Sequence, residues 1–202
     1  DALNTNTVGW LYGDALDALE RLQVRGPGAD SALPGYEREV LLREMELFRE
    51  WLLQRHLGLD TCGVDEVLDR CFGLLADVAL EQPRVCVHRD YHSRNLMVVE
   101  RDNPGVLDFQ DAVLGPITYD LVSLLRDCYI AWPRSQVEGW AGDYLERPGV
   151  RRLVGNDVQP EQWLRWFDLM GVQRHLKASG IFARLWHRDG KPNYLQDVPR
   201  TV

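Results

Sequence analysis

Residues 88–95 read His-Arg-Asp-Tyr-His-Ser-Arg-Asn, and Leu107-Asp108-Phe109 follows a short way downstream. An Asp with an Asn five positions on, then a second Asp across a strand–turn–strand, is the layout of a phosphoryl-transfer site. Such chemistry asks for positioning and charge neutralisation more than for covalent steps. Asp90, in a loop between strands, can accept a hydrogen bond from an attacking hydroxyl. Mg²⁺ prefers hard oxygen ligands and retains part of its water. One amide oxygen from Asn95 and one carboxylate from Asp108 supply two such ligands. A tight hairpin is what would set residues 90–95 beside residue 108. The plainer reading has Asp90 and Asn95 capping a turn and Asp108 ending a surface strand. The intervening strand–turn–strand weighs against it: Leu96–Val99, then Asp102-Asn103-Pro104-Gly105, then Val106–Phe109.

Outward from this loop the pattern is helical. Trp10, Leu11, Leu16, Leu19 and Leu22 recur at helical spacing over residues 8–23, before Arg25-Gly26-Pro27-Gly28 breaks the chain. Residues 36–57 form the strongest amphipathic pattern, with Val40, Leu41, Met45, Phe48, Leu52 and Leu53 as its apolar stripe and Gly58 as its stop. A third helix is predicted near 64–80. Val85-Cys86-Val87 reads as a short strand leading into the polar loop, and Gly115-Pro116 as the end of the polar region. Helices are expected over Leu121–Ala131, with Asp120 at the entry, and over 135–146. Residues 147–160 read as loop. A long helical stretch covers 161–187, where Gly171 and Gly180 predict two helices or a kink, and 188–202 read as loop and tail. The fold class is mainly α with a small β-hairpin.

Other side chains carry alternatives. His88 and His92 stand four apart, but no third ligand is spaced for zinc. His88 reads as bracing the loop; His92 either faces a substrate or orders the loop. Asp111 could hold a second Mg²⁺ or contact substrate, though a turn cap is favoured. Asp120 reads as a cap that holds the loop rather than as a reacting group. Trp132, Trp163 and Trp166 form either a sugar-stacking or cation-binding wall or, as aromatics at helical spacing more often do, core. Arg174, His175 and Arg184 could read an acidic group on a substrate; the plainer expectation places them on an exposed face.

The 202 residues suffice for one domain with a sizeable core. A net charge of −8 argues against nucleic acid and anionic membrane as main partners, since both need a basic face. No apolar run approaches the ~18 residues of a membrane span. Cys62, Cys71, Cys86 and Cys128 include no C-x-x-C pair, a pattern suited to a reducing cytoplasm. The chain starts at Asp1 and soon enters a helix, which reads as a piece of a longer protein.

The run Val87–Leu96, followed by Gly105-Val106-Leu107-Asp108-Phe109-Gln110-Asp111 and Tyr119-Asp120-Leu121, resembles the aminoglycoside phosphotransferase and choline kinase family. Within it, the chain looks most like bacterial cell-wall-recycling sugar kinases. The closer likeness rests on Leu-Asp-Phe-Gln-Asp-Ala, on Gly-Pro-Ile-Thr-Tyr-Asp-Leu-Val-Ser-Leu-Leu-Arg-Asp, and on Gln173–Lys177 with Ile181–Leu185. The resemblance implies a protein-kinase-like fold and phosphorylation of the anomeric hydroxyl of N-acetylmuramate or N-acetylglucosamine by ATP with Mg²⁺. It implies Asp90 as catalytic base, Asn95 and Asp108 as metal ligands, and Asp120 as support for the loop. The family also has an N-terminal lobe with a nucleotide-covering loop and a phosphate-binding Lys. Here no Gly-rich loop follows a strand, and the lysines are Lys177 and Lys191, both late. Residues 1–202 therefore read as a C-terminal catalytic and acceptor-binding lobe, with ATP held through a lobe this chain lacks, and inactive alone. The competing readings are an aminoglycoside, choline or homoserine kinase of the same fold, and a non-catalytic sugar-binding module.

Overall fold

In the computed structural model, which describes residues 2–28 and 30–201, a long C-terminal helix runs through the middle of a helical body and two small sheets sit at one side. Helix α1 spans Val8–Arg25 and buries Val8, Tyr12, Ala15, Leu16 and Leu19, steps of three and four that keep one face inward. Trp10, expected in the apolar stripe, lies outside it and is 52% exposed. Helix α2 spans Arg38–Leu47, and the chain continues helically through Phe48–His56 in wider turns. There N–H groups reach back five residues, as from Leu57 to the Leu52 oxygen at 3.0 Å. Gly58, at φ 65, ends it. Helix α3 covers Asp65–Leu80.

Strand β1 (Arg84–Val87) does not join the hairpin. It pairs antiparallel with β4 (Val113–Pro116), Arg84 opposite Pro116 and Val87 opposite Val113. Residues 113–116, where Gly115-Pro116 reads as the end of the polar region, are thus a fully buried strand, whose Leu114 also exchanges bonds with Pro34 and Tyr36. The hairpin is shorter than expected: β2 (Leu96–Met97) pairs with β3 (Gly105–Val106). Leu107–Phe109 leave the strand, because Asp108 turns into the left-handed region at φ 68.

Helix α4 runs Thr118–Leu125, six residues short of the expected end at Ala131; α5 runs Arg134–Leu145. Part of the expected loop at 147–160 is helix α6, Pro148–Val154, which starts on a proline already set for a first helical turn. The long helix α7, Pro160–Asp189, is one continuous element of 30 residues. Its glycines are points of close approach rather than breaks. A Cβ on Gly180 would lie 2.5 Å from both the Leu47 oxygen and the Phe48 nitrogen, so α7 crosses the end of α2 backbone to backbone. Gly190, at φ 65, closes α7 with N–H groups of Gly190 and Lys191 bonded to Trp186 and Leu185 oxygens. The tail is a short 3₁₀ stretch, Pro192–Asp197, and helix α8, Val198–Thr201.

The core lies between α1, α4, α5 and α7, with Leu19, Leu121, Leu124, Trp163 and Phe167 sealed from solvent. Trp163 and Trp166 are core residues, the first donating to the Ala141 oxygen at 2.8 Å. Truncating one of the large buried apolar residues to alanine costs about 2–5 kcal/mol. This packing fixes where α4 and α7 stand beneath the His88–Asn95 loop.

Candidate active site

The loop from His88 to Asn95 leaves β1 and is pinned by two acidic residues of the α4 region. Asp120, fully buried in the first turn of α4, accepts from the backbone N–H groups of His88 at 2.6 Å and Arg89 at 3.0 Å. Asp120 thus serves the loop and not its own helix end. These bonds hold Arg89 at φ 76, a conformation non-glycine residues seldom adopt. Burial pushes the Asp120 carboxyl up to about 7, opposed by the two N–H donors and by Arg174. Farther along, Asp127 accepts from Ser93 through backbone and hydroxyl and from the Tyr129 N–H at 2.9 Å. Tyr91, buried between them, donates to the Ala15 oxygen of α1 at 2.8 Å.

Inside the loop, His88 is buried and its Nδ1 accepts from the Asp90 N–H at 3.3 Å. Burial lowers its pKa, with Asp90, the Leu107 carbonyl and Asp108 pulling the other way. The Asn95 amide nitrogen donates to the Asp90 carbonyl at 3.0 Å, which leaves its Oδ1 free. The Leu107 N–H donates to the Asn95 oxygen at 3.0 Å, and Leu96 pairs with Val106. These bonds carry the chain so that Asp108 follows directly beside Asn95. Its carboxylate is exposed and accepts from Gln110 at 2.8 Å. Among the described residues no three His, Cys, Asp or Glu side chains gather into a metal cage. A free amide oxygen and an exposed carboxylate suit Mg²⁺, which takes few protein ligands alongside water and phosphate oxygens.

Asp90 borders a cavity of ≈ 140 Å³ between the loop and α7. His92 lies on the same cavity, edge-on to Tyr129 with ring centroids 5.4 Å apart. Burial lowers its pKa, with Asp127 opposing. Part of the lining is aromatic: Tyr129 meets Phe182, and Phe182 stacks on Tyr194 at 5.8 Å. One face of α7 contributes Arg174 and Lys177 to this cavity. Arg174, expected on an exposed face, is only 6% exposed. Arg184 is half-buried, with its Nε buried and unpartnered.

His175 and Trp132 stand elsewhere. His175 points from the adjacent face of α7 to the Arg126 oxygen at 2.9 Å, and burial lowers its pKa. Trp132 donates to the Tyr12 hydroxyl at 3.0 Å within a cluster of Tyr12, Trp132 and Trp140. Both line a second cavity that Asp90 does not touch. Asp111 is exposed.

Several cavity groups escaped the sequence reading. Lys177 is bonded to the Tyr119 hydroxyl at 3.0 Å and to Glu44 at 3.1 Å. Glu44, buried on α2, also pairs with Arg89 and accepts from Tyr36. Burial works against the Glu44 charge, but Lys177, the Tyr36 hydroxyl and Arg89 together hold its pKa below the usual carboxylate value. The spacing Arg174, Lys177, Ile181, Phe182, Leu185 was a usable signal: steps of three and four put all five on one helix face.

A family model described as the phosphotransferase enzyme family matches residues 1–155. The chain belongs to the phosphotransferase enzyme family. Among curated relatives in this family, it is 50% identical over 201 residues to an N-acetylmuramate/N-acetylglucosamine kinase of Pseudomonas putida, covering 99% of this chain and 58% of that protein. It is 45% identical over 189 residues to a kinase of the same name from Neisseria meningitidis, covering 92% and 55%. The chain thus spans a little over half the length of these relatives. Two solved structures share its fold. A Plasmodium vivax ethanolamine kinase superposes with TM-score 0.65 at 14% identity, covering 99% of this chain and 61% of that one. An aminoglycoside 2'-phosphotransferase-IIIa superposes with TM-score 0.60 at 16% identity, covering 100% and 67%. The phosphotransferase fold expected from the sequence is therefore the one found, mainly helical with small antiparallel sheets. Among the described residues no helix is long and apolar enough to cross a membrane.

Proposed function

We propose that this chain carries the catalytic loop and the acceptor site of an ATP-dependent kinase that phosphorylates the anomeric hydroxyl of N-acetylmuramate or N-acetylglucosamine. The observation that carries the acceptor class is the cavity beside Asp90, lined by Arg174 and Lys177 together with the aromatic rings of Tyr129, Phe182 and Tyr194. Aromatic faces suit the C–H face of a pyranose. Cations facing the acceptor disfavour polycationic aminoglycosides and choline, which call for carboxylates or a cation-binding aromatic cage. The identity to the named kinases supports the same reading.

In this reading the Asp90 carboxylate orients the sugar hydroxyl and receives its proton as the new O–P bond forms and the bond from the γ-phosphorus to ADP breaks. Asn95 and Asp108, with a free amide oxygen and an exposed carboxylate, would hold Mg²⁺. Bound Mg²⁺ neutralises charge on the phosphates. Asp120 and Asp127 fix the loop, so little reordering is needed at the moment of reaction. The phosphates of ATP need a further cation. Lys177 is committed to Glu44 and Tyr119, and Lys191 lies beyond the end of α7. We assign that cation to a part of the protein outside these residues, in line with an N-terminal ATP-binding lobe. ATP use places the reaction in the cytoplasm.

Calorimetric titration of the chain with N-acetylglucosamine, its 1-deoxy analogue and kanamycin tests the acceptor class. The expected result is saturable binding of the amino sugar, weaker binding of the 1-deoxy analogue that lacks a partner for Asp90, and none of kanamycin. Preferential binding of kanamycin would sink the reading.

A further inference from the structure

Arg174 is a buried charge that forms no ion pair among the described residues, although Asp127 and Asp90 lie near enough to favour it. Its side chain is buried, yet among the described residues its one hydrogen-bond contact is a long one, Nη1 to the Cys128 sulfur at 3.7 Å. Its Nε is buried with no partner. A guanidinium carries five N–H donors, and leaving a buried charge unpaired is among the costliest arrangements a fold can keep. The nearby carboxylates do not discharge it. Asp120 is committed to His88 and Arg89, Asp127 to Ser93 and Tyr129, and Glu44 to Arg89, Lys177 and Tyr36. Asp90 lines the cavity itself. Among the described residues, then, Arg174 has no ion pair, and it borders the same cavity as Asp90.

We infer that Arg174 is the specificity-determining residue of the acceptor site, receiving a carboxylate carried by the sugar. The inference rests on the amino-sugar reading and deepens it. N-acetylmuramate bears a lactyl carboxylate that N-acetylglucosamine lacks, and a planar guanidinium can grip a carboxylate with two parallel hydrogen bonds. His175, its neighbour in sequence, takes no part, because its ring is turned to the Arg126 carbonyl on another face of α7.

The test compares the wild-type chain with Arg174→Met and Arg174→Lys, titrated with N-acetylmuramate, N-acetylglucosamine and D-lactate, with thermal melting of each. Arg174→Met is expected to weaken N-acetylmuramate about 30-fold or more while N-acetylglucosamine changes less than about threefold, and Arg174→Lys to recover part of the loss. The melting temperature of the unliganded Arg174→Met chain is expected to hold or rise, since a buried unpaired charge is removed. Equal weakening of both sugars, or a lowered melting temperature, would make Arg174 a structural or Asp90-positioning cation and overturn the inference. Wild type that binds both sugars equally, with Arg174→Met unchanged, overturns it while the amino-sugar reading stands. Arg174-dependent binding of lactate with neither sugar bound supports the carboxylate site and removes the amino-sugar reading. No binding of any of the three overturns both.

Discussion

Replacing Asp120 by alanine removes the single side chain that accepts from both the His88 and the Arg89 backbone N–H groups. The His88 donor then stays buried and the Arg89 donor half-buried without an acceptor, and each unsatisfied group costs about 1–3 kcal/mol, so the loss should reach about 2–6 kcal/mol. The carboxylate itself is an uneasy occupant, since burial raises its pKa from 3.8 to about 7. A carboxyl that is the weaker acid when folded contributes most below its unfolded pKa and loses that contribution as the pH climbs through the folded value. Between pH 6 and pH 8 the wild-type chain should therefore lose about 1.4 kcal/mol through this one group. Urea unfolding of wild type and Asp120→Ala at both pH values measures the two effects together. The cost of the substitution should be larger at pH 6 than at pH 8 by roughly that amount. Amide exchange at His88 and Arg89 should accelerate in the variant. Equal unfolding midpoints would refute the role given to the two hydrogen bonds. A pH dependence identical in the two proteins would refute the raised pKa as a property of Asp120.

Gly180→Ala should lower stability by about 1–3 kcal/mol, because the new methyl meets the Leu47 and Phe48 backbone; an unchanged urea midpoint would mean that α7 and α2 do not cross so closely. Partial burial lowers the pKa of His175, so its contribution is present above about pH 6.5 and is lost as the pH falls. His175→Gln should accordingly flatten the acid side of the stability profile, with the opposite contribution of Asp120 common to both proteins. Asp108→Asn should abolish the relaxation enhancement of water protons by Mn²⁺ bound to the chain, and enhancement equal to wild type would remove Asp108 from the metal site. With ATP, Mg²⁺ and N-acetylmuramate, the 202-residue chain should release ADP at background rate in a coupled assay; robust turnover would refute the assignment of the phosphate-binding cation to a region outside it.

Local chemistry announced itself in the sequence wherever a side chain acts through its immediate neighbours. The apolar stripe of residues 36–57, the Gly58 stop and the turn at 102–105 are of this kind. Long-range pairing was hidden. Val113–Pro116 ends in a Gly-Pro that reads as the end of the polar region, and only its partners at Val87 and Pro34 make it a strand. Gly171 and Gly180 read as interruptions because a helix glycine is weak by propensity, whereas here Gly180 gives α7 room to cross α2. Asp90, Asn95 and Asp108 stood out through fixed offsets. Arg174 was legible only as one of two readings, a contact for an acidic group or an exposed residue, because a charged helix residue is exposed by default and a cavity leaves no trace in a single sequence. The aromatic lining was harder still, since Tyr129, Phe182 and Tyr194 come from three separate segments.

Glu44 shows how such a site constrains the history of its own gene. One carboxylate answers Tyr36, Arg89 and Lys177, drawn from both ends of the chain. A lineage that drifts to a neutral residue at position 44 strands two cations beside Asp90, and a change at Lys177 alone leaves Glu44 sharing one. Inheritance should therefore treat these positions as one character, kept or exchanged together, and chimaeras that join the α2 segment of one relative to the α7 segment of another should fail where the set is mixed.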